Sequence, residues 1–353
     1  MQLEEAPSSY LGGRVVHGPP RNSVIHSPDR RNGVRQPCRA PASGPITTYG
    51  HHGEFRGWVH RRRYSLANVP DCTAIAVSGS PLPDFADPPV VETVLGVSFL
   101  EVPQLTSTQI VRFWGQHLAD ALPSDAERAP YNVPVERFPA PPPREELSVR
   151  LRVEPPPTRF MFSDDNHLVQ IQSDWFAYNW RKTLARPDYE RYEAGRERFQ
   201  SHLEQFSAFL HEDLEARLQP VQCEITYVNH VALVAPTAGA GPLGAVLRDV
   251  QPTVGAYLPE PHHAEFSSQY EMHAEDVVGR LHVSARTAAV DRDSDALRVV
   301  LALTARGAPP SGDLSGVLRF LDAGRVWIVR GFEDLTTSQM QEQWGQKSKG
   351  GSP

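Results

Sequence analysis

The sequence predicts an α+β fold in which two related antiparallel sheet–helix units form a pseudo-symmetric, duplicated core. Three observations lead there. A twelve-residue phrase occurs twice: Leu105–Gln116 returns as Leu335–Gln346, and Trp-Gly-Gln closes both copies. Each copy is expected to follow a strand-like run, Val90–Phe99 for the first and Arg325–Val329 for the second. Between them, segments with period-two alternation are interrupted by one long helical stripe.

Residues 1–80 lack sustained periodicity and are broken by Gly-Pro-Pro and Asn-Gly turns. They read as a flexible or irregular extension, with short strands at most over Tyr49–Trp58 and Thr73–Val77. Pro81–Pro89 is a stiff entry to the body. Val90–Phe99 is β-rich. Leu105–Leu122 reads as a helix, since Ile110, Phe113, Trp114 and Leu118 share one face. Thr106 with Gln109 has the spacing of a capping box. A strand follows at Glu146–Val153. Arg159–Phe162 and Leu168–Gln172 form a hairpin around Ser163–Asn166. The aromatic segment Asp174–Arg181 comes next. A helix from Tyr189 to Leu218 carries the stripe Tyr192, Phe199, Leu203, Phe206, Leu210 and Leu214. Cys223–Leu233 is a strand, and Ala245–Val250 a short helix or loop. Strands are predicted at Gln269–Glu275, Arg280–Arg286, Leu297–Ala305 and Gly316–Phe320, with Asp291–Asp295 as a turn. The helix carrying Trp344 closes the body. The domain reading is an extension (1–80), a first unit (81–235), a second unit (236–346) and a tail (347–353).

The net charge of −7 is uneven. Residues 1–80 hold ten Arg, no Lys and five acidic residues, a balance of +5 against −12 for the remainder. An acidic body argues against broad wrapping of duplex nucleic acid, while the arm, with Arg61-Arg62-Arg63, could touch a phosphate or an acidic partner. No run reaches the ~20 apolar residues of a membrane helix. The start has no basic segment followed by an apolar signal core, so a cytoplasmic protein without membrane attachment is expected. Cys38, Cys72 and Cys223 are too scattered for a disulfide framework or a metal knuckle.

Four stretches carry a resemblance. Pro89–Leu95, Gln172–Arg181, Cys223–His230 and Gly331–Thr336 resemble a sporadically distributed, uncharacterised bacterial protein family. Its usual body would span roughly 82–346, leaving residues 1–80 as an extension. The resemblance implies a bacterial origin and an α+β body, and it implies no catalytic assignment.

The residues themselves offer several candidate sites. His230 follows Tyr227 and Asn229 at a strand end, and alternation puts those two on one face and His230 on the other. As a catalytic group it would need a partner and an accessible cavity; hydrogen bonding within the structure is the simpler role. His263, Glu265 and His273, with His262 and His282 nearby, could supply ligands for zinc or non-haem iron only if folding gathers them, because HExxH spacing is absent. Asp164-Asp165 and Asp291–Asp295 have the composition of solvated turns. Ser163, Ser173 and Ser201 lack a nucleophile elbow. Cys223 sits in an apolar strand and reads as core. Gly239, Gly241 and Gly244 lack the Lys-Ser/Thr ending of a phosphate loop.

The segment Asp174, Trp175, Phe176, Tyr178, Asn179, Trp180 and Arg181 is the best recognition surface, since aromatic and polar groups together suit a partner or a planar ligand. Trp114 and Trp344 read as structural anchors. The function expected is noncatalytic binding of a protein or ligand within a bacterial multiprotein system, through a protein partner or a homo-oligomer, with no cofactor predicted. A metal-dependent enzyme or accessory protein built from distant His and acidic residues is the first alternative. Nucleic-acid binding through the N-terminal arm is the second.

Overall fold

The computed structural model describes residues 81–138, 158–233, 241–250, 257–259, 261, 263–274, 276–290 and 296–347. In chain order the elements are β1 (Val90–Phe99), α1 (Ser107–His117), β2 (Ser124–Arg128), β3 (Arg159–Ser163), β4 (His167–Gln172), β5 (Trp175–Arg181), α2 (Tyr192–Leu214), β6 (Pro220–Ala232), α3 (Gly241–Val246), β7 (Glu265–Ala274), β8 (Val277–Ala289), β9 (Leu297–Gly307), α4 (Leu314–Leu335) and α5 (Ser338–Gln343). The strands form one nine-stranded sheet in the order β2-β3-β4-β5-β1-β6-β9-β8-β7. Every neighbouring pair is antiparallel. β1 and β6 meet in the middle, with Leu95 opposite Ile225 and Gly96 opposite Glu224.

Alternation along each strand sends its two residue sets to different surroundings. One set is apolar: Leu95, Val97 and Phe99 of β1, Phe176 and Tyr178 of β5, Ile225 of β6, and Leu301, Leu303 and Ala305 of β9 are all buried in the main core. The helices cover this face. α2 lays Phe199 and Phe206 on Phe176, with ring centroids 6.1 and 5.2 Å apart. α1 reaches the same cluster through Phe113, whose ring is 5.3 Å from Phe206. α4 crosses β6, β9 and β8. Gly324 allows its close approach, because a Cβ there would come within 2.6 Å of Ile225 Cγ2.

Several expectations are corrected. Gly316–Phe320 and Arg325–Val329 are not strands; both lie inside α4. Their β-branched residues and glycines weaken helix propensity locally. Yet Val317, Leu321, Gly324, Ile328 and Phe332 recur at helical spacing and are all buried. Packing of that face against the sheet outweighs propensity, and Asp313 fixes the start by accepting a 2.9 Å hydrogen bond from the Gly316 N–H. The capping box at α1 does not form, since Thr106 makes no side-chain cap bond. β2 is an edge strand of polar residues that the sequence reading left out. The strand expected at Glu146–Val153, the turn at Asp291–Asp295, and the readings of residues 1–80 all lie outside the described residues.

The repeated phrase also takes two different settings. Trp114 sits in α1, which follows β1; its ring stacks 5.4 Å from Phe162 and its Nε1–H donates to the Leu122 carbonyl at 2.8 Å. Trp344 caps α5, which follows α4 rather than a strand, and packs 5.0 Å from Phe332 and 6.1 Å from Phe85. The two tryptophans therefore do not occupy matching positions. A twelve-residue phrase encodes a helical turn and an anchor, and neither specifies what precedes it. No helix among the described residues is long and apolar enough to cross a membrane.

Candidate functional site: the helix-free face of the sheet

The second residue set of each strand turns away from the helices, and it mixes buried polar groups with the small apolar cluster of Val94, Trp175 and Ala177. The register aligns Val94, Gly96 and Ser98 of β1 with Thr226, Glu224 and Gln222 of β6, then with Thr304 and Arg306 of β9 and Arg280 and His282 of β8. On the other side it aligns them with Trp175, Ala177 and Asn179 of β5 and Gln170 and Gln172 of β4. Short hydrogen bonds knit this surface. Gln170 donates to Asn179 at 2.8 Å, Asn179 donates to Glu92 at 2.7 Å, and the Thr226 and Thr304 hydroxyls lie 2.8 Å apart. Burial raises the Glu92 pKa, with Asn179 and Arg181 opposing.

After β2 the chain crosses this face as a strap, residues 129–138. Two glutamines hold its backbone. Gln172 accepts from the Tyr131 N–H and donates to the Tyr131 carbonyl, both at 3.0 Å. Gln222 accepts from the Glu136 N–H at 2.8 Å and donates to the Pro134 carbonyl at 2.9 Å. The Tyr131 ring lies 4.9 Å from Trp175, and Tyr131 and Val133 pack on the small cluster of Val94, Trp175 and Ala177. Burial, followed by the Glu224 charge, pushes the Tyr131 phenol up to about 12, against the pull of Arg306.

Glu136 anchors the far end. Its carboxylate contacts Arg280 and His282 closely, and Arg306 at 3.4 Å. Arg306 also reaches Glu224 at 3.0 Å. Burial works to raise the Glu136 pKa, but the His282 bond and the charges of His282, Arg306 and Arg280 outweigh it and hold the carboxyl below its ordinary value. The Arg280 guanidinium lies 4.8 Å from the Phe138 ring centroid. The arrangement can hold an extended chain carrying a carboxylate.

The sequence-predicted residues distribute as follows. β5 splits the aromatic segment: Trp175, Asn179 and Arg181 belong to the helix-free set, while Phe176, Tyr178 and Trp180 enter the helix-side core. Asp174 is exposed in the β4–β5 turn and accepts from Gln172 at 2.6 Å. His230 shares the helix-free set with Val228, and Tyr227 and Asn229 the other, as alternation predicts. His230 is half-buried; burial, then Arg298 and Arg286, lowers its pKa to about 4. It is thus a neutral group at ordinary pH.

The residues named as possible metal ligands are not brought together. His263 and Glu265 are 3.1 Å apart and exposed, but His273 lies at the opposite end of β7, where it meets Glu271 at 3.8 Å. The eight residue steps from Glu265 to His273 span about 27 Å. His282 turns to Glu136 instead. Among the described residues no group of three or more His, Cys, Asp or Glu could hold a metal ion. Cys223 is buried on the helix side, where burial pushes its thiol pKa up, so it is core.

Two polar features lie on the helix side. His167 is held between Asp164 at 2.9 Å and Glu190 at 3.0 Å, and Glu190 also accepts from the Tyr178 hydroxyl at 2.9 Å. This ties the β3–β4 turn to the start of α2. A cavity of about 150 Å³ is lined by Phe85, Tyr189, Tyr192, Tyr227, Asn229 and Arg325, among others. It is smaller than the ~300 Å³ at which ligand pockets begin. Its guanidiniums are engaged, Arg325 with Glu193 and Arg191 with Asp84.

Tyr131, Glu136, Gln222, Arg280 and Arg306 were missed from the sequence. The period-two polar run Arg280, His282, Ser284, Arg286 and its counterpart Gln222, Glu224, Thr226 were the available signal, since both mark a face turned from the core. Comparison with known protein families and with curated proteins finds no match.

Proposed function

We propose that this protein is a noncatalytic binding component that engages a protein partner on the helix-free face, as part of a bacterial multiprotein system. The observation that supports it most is the strap: an extended stretch of polypeptide lies on this face, with its backbone bonded by Gln172 and Gln222 and its carboxylate enclosed by Arg280, Arg306 and His282. A surface that binds one extended chain has the chemistry to bind another. The bacterial setting rests on the sequence resemblance alone.

We further read the body as a duplicated one, on topology rather than on the repeated phrase. With the extra edge strand β2 set aside, the order β1–α1–β3–β4–β5–α2 matches β6–α3–β7–β8–β9–α4, and in the sheet each half runs outward from its own first strand. The boundary then falls between Leu214 and Pro220, ahead of β6. This places the join between halves, β1 beside β6, at the centre of the helix-free face and under the strap.

The test is position-dependent photo-crosslinking in the native host. A photoreactive residue is placed at Ser98 or Val228 on the helix-free face, and at Glu197 on the exposed side of α2. Adducts of one defined mass at the first two positions and none at the third are expected. Adducts confined to Glu197, or a strictly monomeric protein with no adduct anywhere, overturn the reading.

A further inference from the structure

We infer that residues 129–138 are a resident competitor, and that the helix-free face takes in their place an extended acidic segment of a partner protein, with an aromatic side chain followed five residues later by a carboxylate. This rests on the reading of the helix-free face as a binding surface and names what it binds.

The recognition is generic where it touches the backbone and selective at two places. Gln172 and Gln222 each pair an N–H and a C=O of the strap through one side-chain amide, so they would accept almost any extended chain. Selectivity comes from Trp175, which receives the Tyr131 ring, and from the Arg280–Arg306–His282 pocket, which receives the carboxylate. Two guanidiniums aimed at one point favour an anion strongly.

The resident segment fits imperfectly. Trp175 and Glu224 are each 2% exposed. The Trp175 Nε1–H and one Glu224 carboxylate oxygen, with the Gln170 side-chain oxygen, are buried without a hydrogen-bond partner among the described residues. Gly96 lies between the first two: a Cβ there would stand 3.3 Å from Trp175 Nε1 and 3.2 Å from Glu224 Cγ. A donor and an acceptor are therefore desolvated beside the strap and given nothing in return, which is uncommon in a native structure. An incoming segment with a polar side chain over Gly96 would satisfy both.

The strap is also shallowly seated. Asn132, Pro134, Arg137 and Phe138 are exposed, and Val135 is 76% exposed. Its apolar contacts are those of Tyr131 and Val133 with one small cluster. It holds its place through a few polar contacts and through the high effective concentration that tethering supplies. A stronger-pairing segment in trans, or loss of the Glu136 anchor, releases it.

The probe is a fluorescein-labelled synthetic peptide with the sequence of residues 129–138, titrated by anisotropy against the full chain. The double variant Tyr131→Ala/Glu136→Gln should bind it at least about tenfold more tightly than the wild type, because its own strap no longer competes. The same peptide carrying Glu136→Gln should bind the double variant at least about tenfold more weakly. Should the double variant fail to fold, excess peptide added to isotope-labelled wild-type chain decides: the Tyr131 and Glu136 amide resonances should shift while those of β9 stay. Equal peptide affinity of folded variant and wild type, indifference to the carboxylate, or unmoved strap amides overturns the inference. So does preferential binding of a poly-thymidine oligonucleotide by the double variant, which would give the face to single-stranded nucleic acid. If crosslinks at Ser98 and Val228 persist while the peptide is ignored, only the competitor falls; if both fail, the binding reading falls with it.

Discussion

β5 turns Phe176, Tyr178 and Trp180 toward the helices and Trp175, Ala177 and Asn179 toward the strap. On the first side, α1, α2 and α4 cover the strand residues with interlocked rings, and burial of apolar area does the holding. On the second side, two glutamines, one carboxylate, one aromatic pair and one cation–π contact hold a segment that stays mostly exposed. The contrast teaches that one sheet can be held by buried area on one face and by a few placed polar contacts on the other. Area-driven contacts fail only with the fold, whereas a few placed polar contacts can be lost one by one.

The largest expected effect is on the helix face. Phe206→Ala removes a fully buried ring that touches Phe99, Phe113 and Phe176 and should destabilise the whole protein by about 3–5 kcal/mol. Denaturant unfolding would measure it, and a loss under ~1 kcal/mol would break the contrast. A smaller effect is expected on the strap face. Glu136→Gln should cost about 1–3 kcal/mol and act locally. Amide exchange should quicken at Tyr131 and Glu136 while β6 and β9 stay protected. Equal loosening of those strands would mean that the strap belongs to the core.

The smallest effects are pH-dependent and of opposite sign. Glu136 has a lowered pKa, so its contribution is present above the ordinary glutamate value of 4.5 and is lost as pH falls through the depressed value. Acid should free the strap first, seen as exchange at its amides ahead of global unfolding. His167 has a raised pKa, chiefly from its bond to Glu190, with burial opposing and Asp164 assisting. Its contribution is complete below 6.5 and fades as pH rises through the raised value. The half-buried His202 nearby is lowered to about 4 and favours folding more as pH rises from about 4 toward 6.5. The Tyr192 end of α2 should therefore loosen on the alkaline side. A His167→Gln variant that kept the alkaline slope would remove His167 as its source.

Much of the sheet was legible in the sequence because alternation is a local property. β1, β4, β6, β8 and β9 announce themselves by it. α4 was misread because Val317, Val326, Ile328 and Val329 favour strands as isolated residues, and only the sheet beneath them decides otherwise. β2 and the strap were illegible for a different reason. Their residues are polar or Pro-punctuated, and what fixes them is a partner far along the chain: Gln222 for Pro134 and Glu136, Arg280 for the carboxylate. His263, just ahead of β7, and His273, near its end, stay apart because closeness in sequence is distance along a strand. The aromatic segment was rightly noticed and too coarsely read, since period two sends half of it into the core.

The middle of the sheet has one more consequence, for how the polypeptide is made. β1 pairs with β5 on one side and with β6 on the other. As synthesis proceeds, residues 90–214 can assemble five strands and two helices while the outer hydrogen bonds of β1 await residues 220–232. Until those leave the ribosome, a flat row of free N–H and C=O groups faces outward, ready to zip onto a neighbouring nascent chain. A product terminated after Leu214 should therefore self-associate through that row, and timely arrival of β6 is what keeps newly made molecules apart.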